Sequence, residues 1–263
     1  MRGQSGVVAS DPVCIVGGHN GGQINRAVAR RCSIARLPRL GVAGWPHLLV
    51  KQVHDGQLLA RDDTDRQALT EALRDAARAH GVAVHAYHLG ESALMLVATP
   101  EASEGLSLLM QAVGRRYVAG FNRRHGRQGG LWAGRYRGTV LDAARYVLDA
   151  MVLVETRESV PHAGAALYGA AWSSAGHHLG LRTDPLVFDP AAFWALGNTP
   201  FERQAAWRQR LGEGLSEARS TELSQAMHKG WALMSPEQEA ALSQSVGRRL
   251  SPRPRGRPRK AVP

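Results

Sequence analysis

The chain has 263 residues, of which 44% are apolar, and a formal net charge of +11 from 33 Lys and Arg against 22 Asp and Glu. This composition supplies enough apolar side chains for an ordinary core, which excludes an intrinsically disordered protein. No window approaches the ~18 consecutive apolar residues of a membrane span, and two cysteines do not make a disulfide framework, so we expect a soluble intracellular protein.

Residues 1–34 are predicted to form a disordered extension, because they show neither a helical nor a strand period. The first regular element is a short strand at 45–53. An amphipathic helix comes next, which either Asp63 or Thr64 can cap and which Gly81 ends. Its apolar residues recur at i, i+4, i+7 and i+8, which places them on one face.

Alternating apolar residues then predict a β-hairpin over residues 82–98. A second helix is predicted from Ser103, as its N-cap, to about Asn122. A glycine-rich loop, a strand at 136–141 and a third helix at 142–155 follow. The order β-α-β-β-α-β-α matches a ferredoxin-like α+β sandwich, an antiparallel sheet with helices on one face.

We therefore expect an α+β protein with a main domain, an appendage and two disordered termini. The ferredoxin-like DNA-binding domain spans residues 35–180. A loop and a small helical appendage span 181–250, and a basic tail spans 251–263. The appendage is predicted to hold three helices, at 201–215, 221–230 and 236–250.

The positive charge is concentrated in two segments. Residues 105–141 contain seven Arg and no acidic residue, and residues 247–263 contain six Arg, one Lys and no acidic residue. The rest of the chain is close to neutral. Such focused positive fields suit a polyanion, whereas the proline-rich second segment cannot form the amphipathic helix of a membrane-surface protein. We therefore expect nucleic acid, and no membrane, as the partner.

The first basic segment interleaves arginines with aromatic residues. Guanidinium groups make forked hydrogen bonds to phosphate, and exposed rings stack on unpaired bases, so the pattern favours single-stranded or stem-loop nucleic acid. The alternative is that Tyr117 and Phe121 face the core and that the arginines form a solvated face. The candidate DNA-binding residues are Arg115, Arg116, Tyr117, Arg123, Arg124, Arg127, Trp132, Arg135 and Arg137.

The second basic segment contains an AT-hook pattern, a Gly-Arg-Pro core flanked by basic residues. Glycine lets the backbone lie deep in a narrow groove, proline keeps it extended, and arginines favour the negative potential of A·T minor grooves. The alternative is a generic basic tail that binds any polyanion. The candidate residues for A·T-rich duplex are Arg255, Gly256, Arg257, Pro258 and Arg259.

Short motifs follow one another in a fixed order through the main domain: Tyr87-His-Leu89, Thr99-Pro100, Gly114-Arg-Arg-Tyr117, Phe121-Asn-Arg-Arg124, Gly130-Leu-Trp132, Gly134-Arg-Tyr-Arg137, Arg145-Tyr146 and Trp172-Ser-Ser174. In this order they resemble the REP-associated branch of the HUH single-tyrosine transposases, of the insertion sequence 200-like family. The resemblance implies a ferredoxin-like nuclease, usually a dimer, that binds a palindromic hairpin and cleaves single-stranded DNA. It also implies two histidines and a third polar ligand that hold Mg or Mn, and a tyrosine that attacks the phosphate.

The chain departs from this family where the chemistry takes place. Aligned on the motifs, the two metal-binding histidines fall on Ala93 and Met95, whose methyl and thioether groups are poor ligands for hard cations. The nucleophilic tyrosine falls on Leu153 and the third ligand on Arg157. The sequence thus predicts a member with neither the catalytic groups nor the metal cofactor. A guanidinium at position 157 could instead hold a DNA phosphate without cutting it.

The expected function is therefore a dimeric, nucleoid-associated protein of the cytoplasm that binds hairpin or single-stranded DNA without cleaving it. One alternative is an active metal-dependent transposase that uses displaced residues. Another is an RNA-binding or structural dimerisation protein. Displaced metal ligands would have to come from His85 with His88 or from His177 with His178. The first pair is expected on opposite faces of a strand and the second adjacent in a turn, and neither arrangement suits a shared metal.

Overall fold

The computed structural model of the protein describes residues 39–157, 172–247 and 249–252. The disordered extension predicted at 1–34 lies outside these ranges, as do the AT-hook residues Arg255, Gly256, Arg257, Pro258 and Arg259. None of the helices in the described ranges has the length and apolar character needed to cross a membrane.

The described residues contain one four-stranded sheet, made of β1 (His47–Gln52), β2 (Val82–Leu89), β3 (Ala93–Pro100) and β4 (Arg137–Val140). The strands lie in the order β2-β3-β1-β4, and every neighbouring pair is antiparallel. One helix connects β1 to β2 and another connects β3 to β4. This is the βαββαβ topology of the ferredoxin-like sandwich. The predicted fold class is confirmed.

Helices α1 (Asp63–Ala79) and α2 (Gly105–Arg124) cover one face of the sheet. The cap of α1 is Asp62, one residue earlier than predicted, and its side chain accepts a hydrogen bond from the backbone N–H of Asp65. The chain leaves α1 through Gly81, whose φ of +57° favours glycine. The apolar faces of both helices pack against the sheet. Leu69 and Leu73 of α1 and Leu109 and Val113 of α2 are among the buried side chains.

The predicted cap of α2 is wrong. Ser103 does not cap the helix, because its hydroxyl donates to the carboxylate of Glu104 at 2.8 Å and no backbone N–H is bonded to it. Glu104 occupies the N-cap position without a side-chain hydrogen bond to the helix. The helix therefore begins at Gly105 with its first N–H groups uncapped by a side chain.

A β-bulge in β2 breaks the simple alternation predicted for this strand. The register with β3 shifts between Val84 and Ala86. Because side chains alternate with period two, one extra residue moves the rest of the strand to the opposite parity. Val84 and Tyr87 consequently share the core under α1 and α2, while Ala86 faces the other side of the sheet.

The other face of the sheet is also covered, by a second helical layer that the prediction of helices on one face did not include. Trp207 is fully buried in this layer, beside Val152 and Leu223. The three predicted C-terminal helices are confirmed, with shifted ends. In chain order, the described residues after β4 contain helices α3 (Ala143–Glu155), α4 (Ala175–His178), α5 (Ala191–Trp194), α6 (Pro200–Glu213), α7 (Glu217–Lys229) and α8 (Pro236–Val246).

A buried polar network joins this second layer together at Glu155, the last residue of α3. Its carboxylate accepts hydrogen bonds from Ser174 Oγ and from His178 Nδ1, each at 2.5 Å, and from Trp207 Nε1 at 2.9 Å. On its other side, His178 Nε2 lies 3.4 Å from Asp189 Oδ1. The network thus connects α3, α4, α6 and the loop before α5 through charged and polar groups.

Candidate nucleic-acid interface

Two of the arginines predicted to bind DNA are paired with carboxylates of α1 and its cap. Arg116 Nη1 lies 2.5 Å from Asp75 Oδ2. Arg124 donates to both carboxylate oxygens of Asp62 and to Asp65 Oδ1, at 2.6–2.7 Å. The hydrogen bonds from Arg124 lower the pKa of Asp62 to about 2, so that carboxylate stays ionised. Arg116 and Arg124 therefore join α2 to α1 and have little charge left to offer a phosphate.

Tyr117 lies in the core. Its side chain is 3% exposed, and its hydroxyl donates to the carbonyl oxygen of Leu59 at 2.5 Å. Its ring packs against Phe121, which is equally buried. Burial raises the pKa of Tyr117. The structure thus supports the core alternative for both aromatic residues, and neither ring is available to stack on a base.

The remaining arginines of the segment have no carboxylate partner in the part of the chain that the structure describes. Arg115, Arg123 and Arg135 are exposed and form no ion pair within the described residues. Arg127 is half-buried and donates to two neutral amide side chains. Arg137, at the start of β4, is exposed and lies beside His228 of α7. The predicted set therefore divides into arginines that hold the fold together and arginines whose charge faces solvent.

An open groove of about 320 Å³ lies between α2 and the loop that follows it. We call it the Trp132 groove. Trp132 is half-buried, and its indole Nε1 is buried without a hydrogen-bond partner in the described part of the chain. The lining residues are Lys51, Met110, Gln111, Gly114, Arg115, Val118, Gly130, Leu131 and Trp132.

Lys51 is the cation that the sequence analysis missed. Its ammonium lies 4.9 Å from the centre of the Trp132 ring, within cation–π distance. Burial, with a smaller contribution from Arg39, lowers the pKa of Lys51 to about 8. Lys51 lies near the end of β1, which is otherwise largely apolar. A single lysine in such a strand is the sequence signal from which a functional role could have been predicted.

A second, more enclosed cavity of about 130 Å³ lies on the opposite face of the sheet, beneath α3 and α7. We call it the Arg157 cavity. Ala93 and Met95 of β3 line it together with Arg157, which follows α3. Three of the four positions that the family resemblance assigns to catalysis therefore meet around one cavity. The fourth, Leu153, is buried in the same apolar layer as Met95 but does not line the cavity.

The Arg157 cavity has a cationic rim. His228, on α7, lines it, and Arg137 Nη1 lies 3.4 Å from His228 Nδ1. Burial lowers the pKa of His228, and the charges of Arg137 and Arg157 lower it further. No lining residue carries a carboxylate; the lining consists of Val50, Gln52, His88, Ser92, Ala93, Met95, Arg157, Met227 and His228.

The residues at the family's metal positions do not fit a divalent cation. A methyl group, a thioether and a guanidinium replace the imidazole and polar ligands that the resemblance implies, and hard cations take oxygen donors. Within the described ranges, no three His, Cys, Asp or Glu side chains come together in an arrangement that could hold a metal. The side chains at these positions therefore do not support a metal-dependent step.

The groove and the cavity lie at the same end of the sheet. Lys51 and Gln52 are successive residues of β1, so their side chains point to opposite faces, one into the Trp132 groove and the other toward the Arg157 cavity. Arg137, at the start of β4, is the strand partner of Val50, and the backbone N–H of Ala133 donates to the carbonyl oxygen of Gln52. The 133–137 segment therefore runs along the sheet edge between the groove and the cavity.

Comparison with known proteins gives structural neighbours only. No protein-family model and no curated protein matches the chain. The structure of a REP-associated tyrosine transposase bound to a REP hairpin gives a TM-score of 0.46 at 13% identity, covering 60% of this chain and 93% of that chain. A structure from Deinococcus radiodurans R1 gives 0.31 at 22% identity, covering 41% and 84%. Both are named transposases.

Proposed function

We propose that this protein binds DNA in hairpin or single-stranded form and does not cut it. The observation that carries the proposal is a group of cations at one end of the sheet that have no carboxylate partner in the described residues. A polyanion supplies the counter-charge that these cations lack, and the half-buried indole beside them offers an edge or face to an unpaired base. The group consists of Lys51, Arg115, Arg135, Arg137 and Arg157, with Trp132 among them.

The second half of the proposal rests on the positions of the family's catalytic groups. Ala93, Met95 and Leu153 carry no group that could ligate a cation or attack a phosphate.

The resemblance also motivates two subsidiary proposals, that the protein acts as a homodimer and that it associates with nucleoid DNA in the cytoplasm. One neighbour in the comparison is bound to a REP hairpin, so a hairpin is the first probe to use.

Arg115→Ala is expected to weaken binding to a DNA hairpin with a single-stranded flank. If Arg115 contacts one phosphate, the slope of log K against log salt should fall by about 0.7 on the single-stranded part. Fluorescence anisotropy at four salt concentrations measures both the affinity and the slope. Arg78→Ala is the matched control. Arg78 is exposed on α1 near Val82, at the end of the sheet that lies away from the group of cations.

Three outcomes of this titration count against the proposal. Equal losses for Arg115→Ala and Arg78→Ala would mean that charge alone, and not this surface, attracts DNA. Tighter binding to an RNA hairpin of the same sequence would favour the RNA-binding alternative. No binding to either hairpin would leave only the structural dimerisation protein.

No covalent protein–DNA adduct is expected when the protein is incubated with single-stranded hairpin DNA and Mg or Mn. A phosphotyrosine cannot form at Leu153, and the side chains of Ala93 and Met95 cannot hold the metal that would stabilise the developing phosphate charge. Denaturing gels with end-labelled DNA test this directly. A denaturation-resistant, metal-dependent adduct would contradict the proposal and favour the alternative of an active transposase that uses displaced residues.

A further inference from the structure

We infer that the Arg157 cavity is a metal-independent binding site for one phosphate group. The inference deepens the proposed function, on which it rests, by naming the chemical group that this part of the surface takes. The bound group is either a phosphodiester of the DNA backbone or free inorganic phosphate, since both present the same oxygens to the cavity.

The shape of the cavity is the first argument. It encloses about 130 Å³, which is room for a tetrahedral oxyanion with some water, and it is more enclosed than the Trp132 groove. Val50, Ala93, Met95 and Met227 form its apolar floor, and Arg157 lies at its exposed rim. An anion that enters is therefore partly withdrawn from water, where charge-assisted hydrogen bonds are stronger.

The charges around the cavity are the second argument. Arg157 forms no ion pair within residues 39–157, 172–247 and 249–252, and no carboxylate lines the cavity. Arg137 stands next to His228 and adds a second guanidinium. Within the described residues, two arginines without an acidic partner beside an enclosed space leave a positive potential that favours an anion.

The orientation of His228 is the third argument. A guanidinium can only donate, so the nitrogen that faces Arg137, Nδ1, must be the acceptor. The hydrogen of a neutral imidazole then sits on Nε2, which has no hydrogen-bond partner among the described residues and could donate to an oxyanion. Arg157, Gln52 and Ser92 supply further N–H and O–H donors from the cavity wall. The donor set suits a phosphate, and it has no carboxylate that would repel one.

The first arm of the experiment uses inorganic phosphate and the full chain in EDTA. Phosphate at constant ionic strength should raise the Tm of the wild type relative to chloride, because a ligand that binds only the folded state stabilises it by mass action. Arg157→Ala should lose this shift, and His228→Leu should reduce it. Arg78→Ala, which removes an exposed arginine of α1 outside the cavity, should retain it. Arg157→Lys should keep part of the shift, because lysine retains the charge but not the forked donors.

The second arm measures hairpin DNA binding by the same variants in EDTA. A loss of about tenfold for Arg157→Ala, with no comparable loss for Arg78→Ala, identifies the ligand as a backbone phosphate. A phosphate-dependent Tm shift that Arg157→Ala abolishes, with hairpin affinity unchanged, identifies the ligand as free phosphate.

The two arms separate this inference from the proposed function. If the wild type binds no hairpin but its phosphate shift depends on Arg157, the proposed function fails and the phosphate site stands. If the wild type binds the hairpin but Arg157→Ala and His228→Leu change neither the affinity nor the phosphate shift, the site is wrong and the proposed function stands. Both variants can be checked for folding by their cooperative unfolding transitions.

Discussion

Replacing Glu155 with alanine is expected to lower the free energy of unfolding by about 3–5 kcal/mol, the cost of leaving a buried partner uncompensated. The Glu155 side chain is fully buried and holds three donors from Ser174, His178 and Trp207. Without the carboxylate, these donors lose their common acceptor in a buried layer between α3 and α6. Urea unfolding followed by Trp fluorescence measures the loss.

Two variants test whether the effect comes from the buried network. Glu155→Gln keeps an acceptor oxygen but loses the charge that faces His178, so its loss should be smaller than that of Glu155→Ala. Asp75→Ala removes the exposed ion pair with Arg116 and should cost much less than Glu155→Ala, because solvent screens exposed ion pairs. A loss for Glu155→Ala as small as that of Asp75→Ala would show that the network is not needed for stability.

The same network gives stability a defined pH dependence. Burial lowers the pKa of His178, but the charge of Glu155 and the hydrogen bonds with Asp189 and Glu155 outweigh burial and raise it to about 9. Because this folded-state pKa lies above the unfolded value of about 6.5, the contribution is fully present below about pH 6.5 and is lost as the pH rises through about 9. The wild type should therefore lose about 3 kcal/mol across that range, and Glu155→Gln should lose less.

The residues that carry the family resemblance belong in part to this structural network. Tyr87, from the Tyr-His motif, donates through its hydroxyl to Asp184 at 2.6 Å, and its backbone N–H donates to Ser174 Oγ at 2.9 Å. Ser174, from the Trp-Ser-Ser motif, then donates to Glu155. These motif residues therefore join β2 to the second helical layer, where they contribute to the stability of the fold.

The elements of the sandwich could be predicted because each shows its own period. The alternation of the hairpin and the spacing of Leu69 and Leu73 in α1 are local signals that need no knowledge of the partner. In the second layer, helices α6 and α7 lack such a signal. Only Trp207 and Leu211 are buried in α6, and Leu223, Ala226 and Met227 in α7, so neither helix has the broad apolar face that indicates burial against a sheet.

Only those residues of the candidate site that the family motifs align could be predicted from the sequence. Ala93 and Met95 share a strand, and the resemblance placed them at one site with Arg157. His228 comes from a helix more than 70 residues further along the chain, and only the fold brings it to the same cavity. Likewise, the arginines of α2 looked equivalent in the sequence, because the acids that neutralise Arg116 and Arg124 lie 41 to 62 residues earlier.

Deleting residues 251–263 is expected to flatten the slope of log K against log salt on duplex DNA by about 3 to 4 units. The deletion removes five cationic residues, and with roughly three to five of them at phosphates each contributes about 0.9 to the slope. The cut leaves the fold intact, because it follows Leu250, which is fully buried against the small apolar cluster around Val42 and Val140.

An AT hook further requires that this loss be larger on A·T-rich than on G·C-rich duplex, since its arginines follow groove width and potential. Arg257→Ala should remove most of the A·T preference alone, because Arg257 is the arginine of the Gly-Arg-Pro core. Gly256→Ala with Pro258→Ala is the matched control. It retains every charge of the tail, so it should preserve the salt slope while losing the preference for A·T-rich duplex. Equal losses on both duplexes for the deletion, with no effect of the control on selectivity, would identify the tail as a nonspecific polyanion-binding segment.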